Sequence, residues 1–474
     1  MRSSRNKNNF LKSFFLACLI FFSFALIIKI PILINGAVDK VQKADNYKEL
    51  GKNLLGFGGK KNILLLFMNN AEQRYGGGFI GSVGVVSAEN GKIKAEPVKS
   101  VYYFDRYLEA KDPYVNPTDF ELEEEADTIR NSGQNIDWQE NGKRAKLIYE
   151  SKTGNKIDFV IGITPEVLKS LLEETGPITL KEYGKIISAD NIIDELQTEV
   201  EFGKDKMDGK DPKSILSVLA TNLIEKLSIK NSLELSEISQ KLKEEADKRQ
   251  IVLYSANYDI AKIIKNLRYD GSIVTSNQDF LQIAEKNLSI DKSNAYIDRS
   301  LDRRMKIDKN GVAEVELNIK RKQNREKSIP YIDPRDNNFT YLIKENISNI
   351  RVVIPKNSVI LQKDGLLEFK KITSNEFIDI YEFKSQLIPL IESSYKLTYR
   401  LPFNFSVIGP INVDSFIQMQ NGGWLYNFTN TIEVPSDWDL LASNKRDLSI
   451  KGSEVIYNKI VDKDIFLSFI YEKK

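Results

Sequence analysis

The stretch that decides the fold reads ILLLFMNNAEQRYGGGFIGSVGVVS and occupies residues 63–87. It opens with a continuous apolar run, which is typical of a strand buried on both faces. Residues 79–87 are again rich in β-branched and apolar residues, and Asn90-Gly91 after them is a strong signal for a hairpin turn into residues 93–98. The stretch therefore predicts the start of a sheet, with a polar, glycine-rich segment between its first two strands.

Helix and strand signals alternate in the part of the chain that follows. Residues 138–152 have the spacing of an amphipathic helix, and residues 159–163 form another buried apolar run before a helix-starting Thr-Pro pair. We expect residues 101–104 to extend the sheet. Further helices are predicted near residues 165–175, 189–202, 212–228 and 233–249, and a further strand at residues 251–254. This alternation predicts an α/β domain over residues 60–295, with helices packed on a sheet.

The period of the apolar residues changes at about residue 296. Apolar and polar residues alternate in short runs from there on, helix signals are scarce, and Asn310-Gly311 marks a turn. The strand-like runs include residues 312–319, 350–354, 395–401 and 431–434. We expect residues 296–474 to form an all-β, sandwich-like domain of immunoglobulin-like character.

The N-terminal segment has the pattern of a membrane anchor. Residues 1–13 carry four basic residues and no acid, and residues 14–34 are apolar apart from three positions. About 20 apolar residues are needed to cross a bilayer core of ~30 Å. Basic residues before the span predict a cytoplasmic tail, so a stalk at residues 35–59 and the remaining bulk would lie outside the cell membrane, in a single-pass arrangement. A cleaved signal peptide is the alternative, but the run is long for one and ends without a clear cleavage site.

Composition excludes several classes of function. The 68 Lys and Arg residues nearly balance the 66 Asp and Glu residues, which disfavours nucleic acid as a partner. Histidine is absent, and Cys18 is the sole cysteine. A disulfide within the body, a zinc site built on cysteine and a histidine base are therefore excluded. Any chemistry would depend on carboxylates, Arg, Lys, hydroxyl groups or an oxygen-ligated metal.

The segment NNAEQRYGGGFIGS at residues 69–82, placed after a strand, resembles the hallmark of the DUF4012 family. That hallmark has the form N-x-A-E-x-R-x-x-G-G-F-I-G-S. Three further stretches fit the family: Asp137-Trp138 with the helix that follows, residues 157–178, and Asn287 with Lys292-Ser293. The resemblance covers roughly residues 60–440. It implies a membrane-anchored bacterial envelope protein and adds location more than mechanism, because the family has no established activity.

More distantly, the order of elements resembles the LytR-CpsA-Psr family. Those envelope enzymes move glycopolymers from a polyprenyl-pyrophosphate carrier to peptidoglycan. In that family an Arg follows the first strand and an Arg-Asp pair follows a later strand. The counterparts here are Arg74 and the pair Asp105-Arg106, which stands in reversed order. Gly176-Pro177 stands where that family has a glycine pair.

Arg74 with Gly76, Gly77 and Gly78 is the most suggestive local feature. Consecutive glycines let backbone N–H groups point into one concavity, and a nearby guanidinium can grip an anion with two hydrogen bonds. This combination predicts an anion-binding segment. The alternative is a tight turn in which Arg74 pairs with a structural carboxylate such as Glu72.

Asp105 and Arg106 follow a predicted strand end, where functional residues often lie. On the transferase interpretation Arg74 and Arg106 would neutralise a pyrophosphate, and Asp105 would hold Mg²⁺ or accept a proton. No other cofactor is predicted. The alternative is an ordinary surface pair.

Other residues are weaker candidates. Arg130 and Arg144 could add charge to the same cleft, whereas Asp137 is explained as the start of a helix. Lys292 lies beside the domain boundary, where a junction-stabilising lysine is the simpler interpretation. The acidic run at residues 121–127 lacks the spacing of a calcium loop. In the β domain, Trp424 and Tyr426 could stack on sugar rings, although packing explains them as well.

Two functions stay open at this point. The first is an anchored envelope protein that binds or scaffolds at the cell surface and does no chemistry. The second is a transferase of LytR-CpsA-Psr type, with an envelope glycopolymer or polyprenyl phosphate as its partner. Convergence of Arg74 and Arg106 in one pocket would favour the second.

Overall fold

The computed structural model describes residues 37–107, 128–203, 205, 214–228, 230–274, 279–326, 331–332, 339–340 and 343–474. The predicted tail at 1–13, the anchor at 14–34 and the acidic run at 121–127 lie outside the described residues. Within these ranges, none of the helices combines the length and apolar character that a bilayer crossing requires. The chain divides into two compact units. The first contains the described parts of Met1–Asn70, Arg74–Ser272 and Tyr331–Leu342, and the second those of Ala71–Gln73, Ile273–Pro330 and Ile343–Lys474.

A mixed sheet forms the centre of the first unit. The strands up to residue 255 are β1 (Lys61–Asn69), β2 (Phe79–Glu89), β3 (Lys92–Ala95), β4 (Lys99–Ser100), β5 (Phe159–Ile163), β6 (Ile178–Leu180), β7 (Lys185–Ile187) and β8 (Ile251–Ser255). The sheet has the order β3-β2-β1-β5-β8, with β4 beside β2, while β6 and β7 pair separately. β1 runs antiparallel to β2 and parallel to β5. β1 is therefore an interior strand with a neighbour on each side.

Helices cover both faces of this sheet. They are α1 (Ala37–Leu54), α2 (Val101–Tyr107), α3 (Trp138–Thr153), α4 (Pro165–Thr175), α5 (Ile192–Phe202), α6 (Ser214–Ser228), α7 (Ser232–Asp247) and α8 (Tyr258–Asn266). In β1, Ile63 and Leu65 belong to one hydrophobic core, whereas Leu64 and Leu66 belong to the core on the opposite face. Successive side chains of a strand point to opposite faces, so the continuous apolar run is the pattern that a doubly covered strand needs.

Several local signals act as the sequence predicts. The Asp137 carboxylate accepts a hydrogen bond from Gln139 N at 2.8 Å and caps α3. Pro165 begins α4, because its missing N–H is one that the first helical turn leaves without a helical acceptor. Asn90 and Gly91 both have positive φ angles, 48° and 75°, as a tight hairpin between β2 and β3 requires.

The prediction that residues 101–104 extend the sheet is wrong. Pairing with β2 stops at Ser100, and α2 begins at the next residue. Val101 and Phe104 are buried in the same core, and a spacing of three residues places both on one face of a helix. The short run of apolar and aromatic residues at 101–104 is compatible with a strand or a helix. Packing of Val101 and Phe104 against the core favours the helix.

The segment predicted as a stalk contains α1, and the C-terminal part of α1 packs on the first unit. Leu50, Leu54 and Leu55 are buried in its larger core. The carbonyl of Leu55 also accepts a hydrogen bond from Gly91 N at 2.9 Å. The hydroxyls of Tyr47 and Tyr269 lie 2.8 Å apart. The described residues from Tyr47 to Leu55 are therefore part of the folded body.

The second unit is built from two large sheets. Strands from residue 279 onward are β9 (Asp279–Asn287), β10 (Ile297–Ile307), β11 (Val312–Gln323), β12 (Tyr331–Ile332), β13 (Phe339–Thr340), β14 (Ile347–Pro355), β15 (Val359–Asp364), β16 (Leu367–Ser374), β17 (Ile378–Gln386), β18 (Glu392–Asn404), β19 (Ile411–Gln418), β20 (Tyr426–Glu433), β21 (Trp438–Ser443), β22 (Leu448–Lys451), β23 (Glu454–Val461) and β24 (Ile465–Lys473). One seven-stranded sheet has the order β15-β18-β11-β10-β20-β23-β22, and the other has β16-β17-β14-β9-β19-β24-β21. β12 and β13 pair only with each other among the described strands and belong to the first unit. Residues from both large sheets share one hydrophobic core.

Each large sheet contains four strands from residues 279–404 and three from residues 411–473. The two sets meet at a parallel pair in each sheet, β9 with β19 and β10 with β20. β9 thus lies at the centre of the second unit, although the sequence placed residues 279–287 in the first domain. The chain is a mixed α/β protein with several sheets and a strand-rich C-terminal region.

A charged group is buried inside the second unit. Glu285 accepts hydrogen bonds from both Arg299 and Arg321, including one from Arg299 Nε at 2.9 Å. Arg321 Nη1 also donates to Ser385 Oγ at 2.6 Å. Burial on its own would raise the pKa of Glu285, but the two guanidiniums outweigh it and lower that pKa. The carboxylate is therefore held in its ionised form.

Candidate functional site

The glycine-rich segment lies between β1 and β2, and protein carbonyls occupy two of its amides. Gly76 N donates to Gly133 O at 3.0 Å, and Gly77 N donates to Arg74 O at 3.0 Å. Gly77 has a φ angle of 142°, which only glycine adopts readily. These two N–H groups hold the turn together, so they are committed to the protein and are not aimed at a ligand.

Asn141 fixes the other side of this turn, and the sequence did not single it out. The Asn141 side chain lies on α3 and is fully buried. Its Oδ1 accepts a hydrogen bond from Asn135 N at 2.9 Å, and its Nδ2 donates one to Asn135 O at 2.7 Å. A Cβ atom added to Gly76 would lie 2.0 Å from Asn141 Nδ2. Glycine is thus required at residue 76 by close packing. The signal available in the sequence was a polar residue on the buried face of an amphipathic helix.

Arg74 and Arg144 are both buried, with relative exposures of 8% and 4%. The Arg74 guanidinium lies 5.6 Å from the centre of the Phe79 ring, a cation–π arrangement. Arg144 follows Asn141 by one turn of α3, so it lies on the face that carries Asn141. Both arginines make further contacts within the protein.

Asp105 lies in α2 and caps the 3₁₀ segment Ile129–Gln134. Its carboxylate accepts hydrogen bonds from Ile129 N at 2.8 Å and Arg130 N at 3.4 Å. Burial raises the pKa of Asp105, and the two N–H groups with the charges of Arg130 and Lys152 offset part of that rise. Asp105 does not follow a strand end, as the sequence predicted, but lies within α2. Its carboxylate stabilises the start of the 3₁₀ segment at Ile129.

The structure brings two of the predicted residues, Asp105 and Arg130, together. Arg130 lies beside Asp105, and its guanidinium is 5.3 Å from the ring centre of Tyr102. Arg106 is the next residue of α2, but its side chain lies outside the described part of the molecule. Among the described residues, no group of three or more acidic or cysteine side chains is arranged to hold a metal ion. A magnesium role for Asp105 therefore stays a prediction.

The remaining candidates lie in the second unit. Ala71–Gln73 belongs to this unit, and the Glu72 carboxylate accepts a hydrogen bond from Lys292 Nζ at 2.5 Å. Trp424 is half-buried, with the Arg299 guanidinium 5.8 Å from its ring centre. Burial raises the pKa of Tyr426 to about 12. Lys292 is thus a structural partner of Glu72 within the second unit.

Part of the chain matches a known family. Residues 58–200 match the family described as "Protein of unknown function (DUF4012)". This match confirms the DUF4012 resemblance for the region that holds the glycine-rich segment, Asp105, Arg130 and Arg144. The resemblance to LytR-CpsA-Psr enzymes stays a prediction. No curated protein matches the chain.

Solved structures with similar parts are distant. Protein gbs0355 from Streptococcus agalactiae is 14% identical and has a TM-score of 0.30, with 45% of this chain and 73% of that one covered. A Legionella pneumophila protein, named for a proposed role in nutrient binding, is 12% identical with a TM-score of 0.26, covering 41% and 72%. An M1 zinc metallopeptidase from Deinococcus radiodurans is 13% identical with a TM-score of 0.20, covering 37% and 42%. These likenesses are too weak to carry an argument about fold or function beyond the DUF4012 match.

Proposed function

We propose that this protein is a single-pass, membrane-anchored protein of the cell envelope that binds a partner outside the cell and catalyses no reaction. The apolar residues 14–34, with basic residues before them, support the anchor and the orientation. The body then lies in the extracytoplasmic space.

One end of the second unit supports the binding role. Five large aliphatic side chains are exposed there, which we call the aliphatic end: Ile290 at 74%, Leu367 at 57%, Ile388 at 61%, Leu390 at 49% and Ile391 at 55%. Ser348 pairs with Asn287 and Ile347 with Gln386, so the loops that carry Ile290 and Ile388 leave the same end of one sheet. A group of exposed apolar side chains at one place is typical of an interaction surface.

Backbone conformation strengthens this interpretation. Ile290 has a φ angle of 54° and Leu390 one of 68°. A left-handed backbone costs roughly 1–2 kcal/mol for a residue with a Cβ, and a β-branched residue is rare there. Ile290 is 74% exposed, so burial of its side chain does not offset the cost of this backbone conformation. Strain of this kind clusters at functional positions.

The charges around the aliphatic end favour a protein as the partner. Glu345 and Glu392 are exposed, and Glu368 pairs with Lys384 at 3.3 Å, so both signs of charge lie beside the apolar side chains. An anionic lipid surface attracts clusters of basic residues, whereas a mixed polar rim around an apolar centre is typical of protein–protein interfaces. We therefore propose a protein with a complementary apolar surface.

The geometry around Asp105 also favours binding over catalysis. A transferase of LytR-CpsA-Psr type needs a carboxylate available to Mg²⁺ or to a proton, and arginines that face the pyrophosphate. The Asp105 carboxylate instead accepts two backbone hydrogen bonds, and Arg74 and Arg144 are buried. The transferase is the alternative that the experiments below distinguish.

Cysteine labelling tests the orientation. Cys18 is the sole cysteine, so Cys18→Ser gives a cysteine-free chain in which Ile408→Cys places one thiol at a site that is 87% exposed. A membrane-impermeant maleimide should label Ile408→Cys in intact cells. The matched variant Ser4→Cys should react only after lysis. Labelling of Ser4→Cys alone in intact cells, or a chain that fractionates without membrane, would contradict the proposal.

Site-specific cross-linking tests the partner. A photoreactive residue at Ile388 should give one adduct with an extracytoplasmic protein. Residue 388 is chosen over Leu390, because the left-handed backbone at Leu390 shapes the loop. The same probe at Ile460, 69% exposed on β23, is the control and should give none. Equal adducts at both positions, or none at Ile388, would count against the binding surface. If the purified chain with Mg²⁺ releases polyprenyl phosphate from a polyprenyl-pyrophosphate-linked glycopolymer and joins the glycopolymer phosphate to an added cell-wall acceptor, that result would establish the transferase instead.

A further inference from the structure

A second buried polar cluster lies inside the second unit, at the seam where its two sets of strands meet. Asp279 on β9 pairs in register with Ser415 on β19, and Arg303 on β10 pairs with Asn430 on β20. These are the two parallel pairs that join residues 279–404 to residues 411–473. Polar residues therefore occupy the interior at the point where each sheet passes from one set of strands to the other.

Direct interactions join most of these residues into one group. Arg303 makes an ion pair with Asp279, and Arg303 Nη1 donates to Asn430 Oδ1 at 2.6 Å. Tyr399 on β18 belongs to the same group, because the charges of both Asp279 and Arg303 act on its hydroxyl. All five side chains, including Ser415, are at most 1% exposed. The cluster is closed off from bulk solvent.

Each member of this cluster also has one polar atom without a protein partner. Those atoms are Asp279 Oδ1, Arg303 Nε, Tyr399 OH, Ser415 Oγ and Asn430 Nδ2. An unpaired buried polar atom costs about 1–3 kcal/mol, so native proteins leave only a few of them per roughly 100 residues. Five in one group, at a seam between two sets of strands, point to a ligand that reaches all of them.

We propose that this seam is a buried hydration site, in which one or more ordered water molecules bridge Asp279, Arg303, Tyr399, Ser415 and Asn430. A buried water typically makes about three hydrogen bonds to polar groups that would otherwise lack partners. The set offers donors from Arg303 and Asn430, an acceptor from Asp279, and two hydroxyls that act as either. Water, which donates two hydrogens and accepts two, matches this mixture.

Charge selects water over an ion. The carboxylate of Asp279 and the guanidinium of Arg303 cancel, so a cation or an anion would leave a net charge in an interior of low dielectric. The neighbouring inward positions on β19 and β20 hold Val413, Ile417, Phe428 and Ile432, all members of the hydrophobic core. Ser415 and Asn430 are thus polar positions between apolar ones on their strands.

A crystal structure of the full-length chain, at a resolution that defines ordered water, tests the proposal. We expect at least one density peak within ordinary hydrogen-bond distance of two or more of the five atoms. Direct hydrogen bonds among the five, with no peak between them, would overturn it. A peak with the short contacts of a metal ion, or with the size of a larger anion, would overturn it as well.

A variant pair tests the same point in solution. Ser415→Val should displace the water, so the oxygen-17 relaxation dispersion of water should lose the amplitude of at least one long-lived molecule. Ser385→Val is the matched control, because Ser385 Oγ already bonds directly to Arg321 at 2.6 Å and Tyr395 at 2.8 Å. That control should keep the wild-type amplitude while its melting temperature falls. Equal amplitudes in wild type and Ser415→Val, with both folded, would contradict the hydration site.

Discussion

The Glu72 carboxylate and the Lys292 ammonium lie 2.5 Å apart although 220 residues separate them in the chain. Their side chains are 5% and 11% exposed, so the pair is almost fully removed from water. Glu72 belongs to the glycine-rich motif and Lys292 to the segment before β10. Two of the stretches that resemble DUF4012 are thus joined by one ion pair within the second unit.

Removing one member of this pair should destabilise the protein more than removing both. Glu72→Met or Lys292→Met alone removes one charge of the buried pair and leaves the other, which costs roughly 3–5 kcal/mol, whereas the double variant should cost far less. Chemical denaturation of the two single variants and the double variant measures the coupling. Additive losses would mean that the pair contributes nothing specific.

Acid should weaken the interior of the second unit through Glu285. Its pKa is lowered in the folded state, so the stabilisation it provides is complete above its unfolded value of about 4.3 and is lost as pH falls through the folded value. Glu285→Gln removes that contribution at neutral pH, since two arginines are left with no carboxylate. Its free energy of unfolding should approach that of wild type as pH falls below about 4. A gap between the two that stays constant with pH would contradict this assignment.

Gly76→Ala should destabilise the first unit by about 1–3 kcal/mol, because the new methyl group meets Asn141 Nδ2 at 2.0 Å and the backbone of Gly133 and Asn135. Gly133→Ala is the matched control. Its Cβ would meet nothing closer than 3.6 Å, so its melting temperature should stay close to that of wild type. A harmless Gly76→Ala would mean that the turn relaxes freely.

Asp105→Ala should cost about 1 kcal/mol, because the 3₁₀ segment that begins at Ile129 loses its cap. Asp105→Asn keeps an acceptor oxygen and should be nearly neutral at pH 7. The pKa of Asp105 is raised by burial, so the folded state favours its protonated form. Wild type should therefore gain stability relative to Asp105→Asn as pH falls through the range between the unfolded and folded pKa values. Loss of a transferase activity in Asp105→Asn, without loss of stability, would favour the enzyme.

Ile290→Asn should make the protein more stable and its partner binding weaker. Asn tolerates the left-handed backbone better than Ile, so relief of the strain at φ 54° should raise the free energy of unfolding by roughly 1 kcal/mol. Cross-linking from residue 388 should fall. Leu361→Asn is the control, since Leu361 is 42% exposed outside the aliphatic end and has no positive φ. It should leave the cross-linking from residue 388 unchanged and should not raise the free energy of unfolding.

The parts of the fold that the sequence predicts well are those set by short-range physics. The run in β1, the Asn90-Gly91 turn, the Asp137 cap and the Pro165 start each depend on a few adjacent residues, and the structure contains all of them. The error at residues 101–104 has the opposite cause. Four apolar and aromatic residues suit a strand or a helix, and contacts with distant residues decide between them.

The candidate site was harder to predict for a related reason. The sequence pattern identified Arg74, Asp105 and Arg130 as candidates. The groups to which these residues hydrogen-bond are determined by tertiary structure. Asn141 packs against Gly76, and Ile129 donates to Asp105. Both contacts join residues that are distant in sequence. No pattern in the sequence marks an isoleucine at residue 290 as strained and exposed. The pairing of β9 with β19 likewise has no local signal.

The parallel pairs β9 with β19 and β10 with β20 govern the order in which the second unit can assemble. β10 cannot pair with β20 until β20 has been synthesised, more than a hundred residues later. The same holds for β9 and β19. Long-range pairing of this kind slows folding and prolongs the exposure of strand edges. During synthesis the nascent unit would therefore need protection from aggregation until β19 and β20 have emerged.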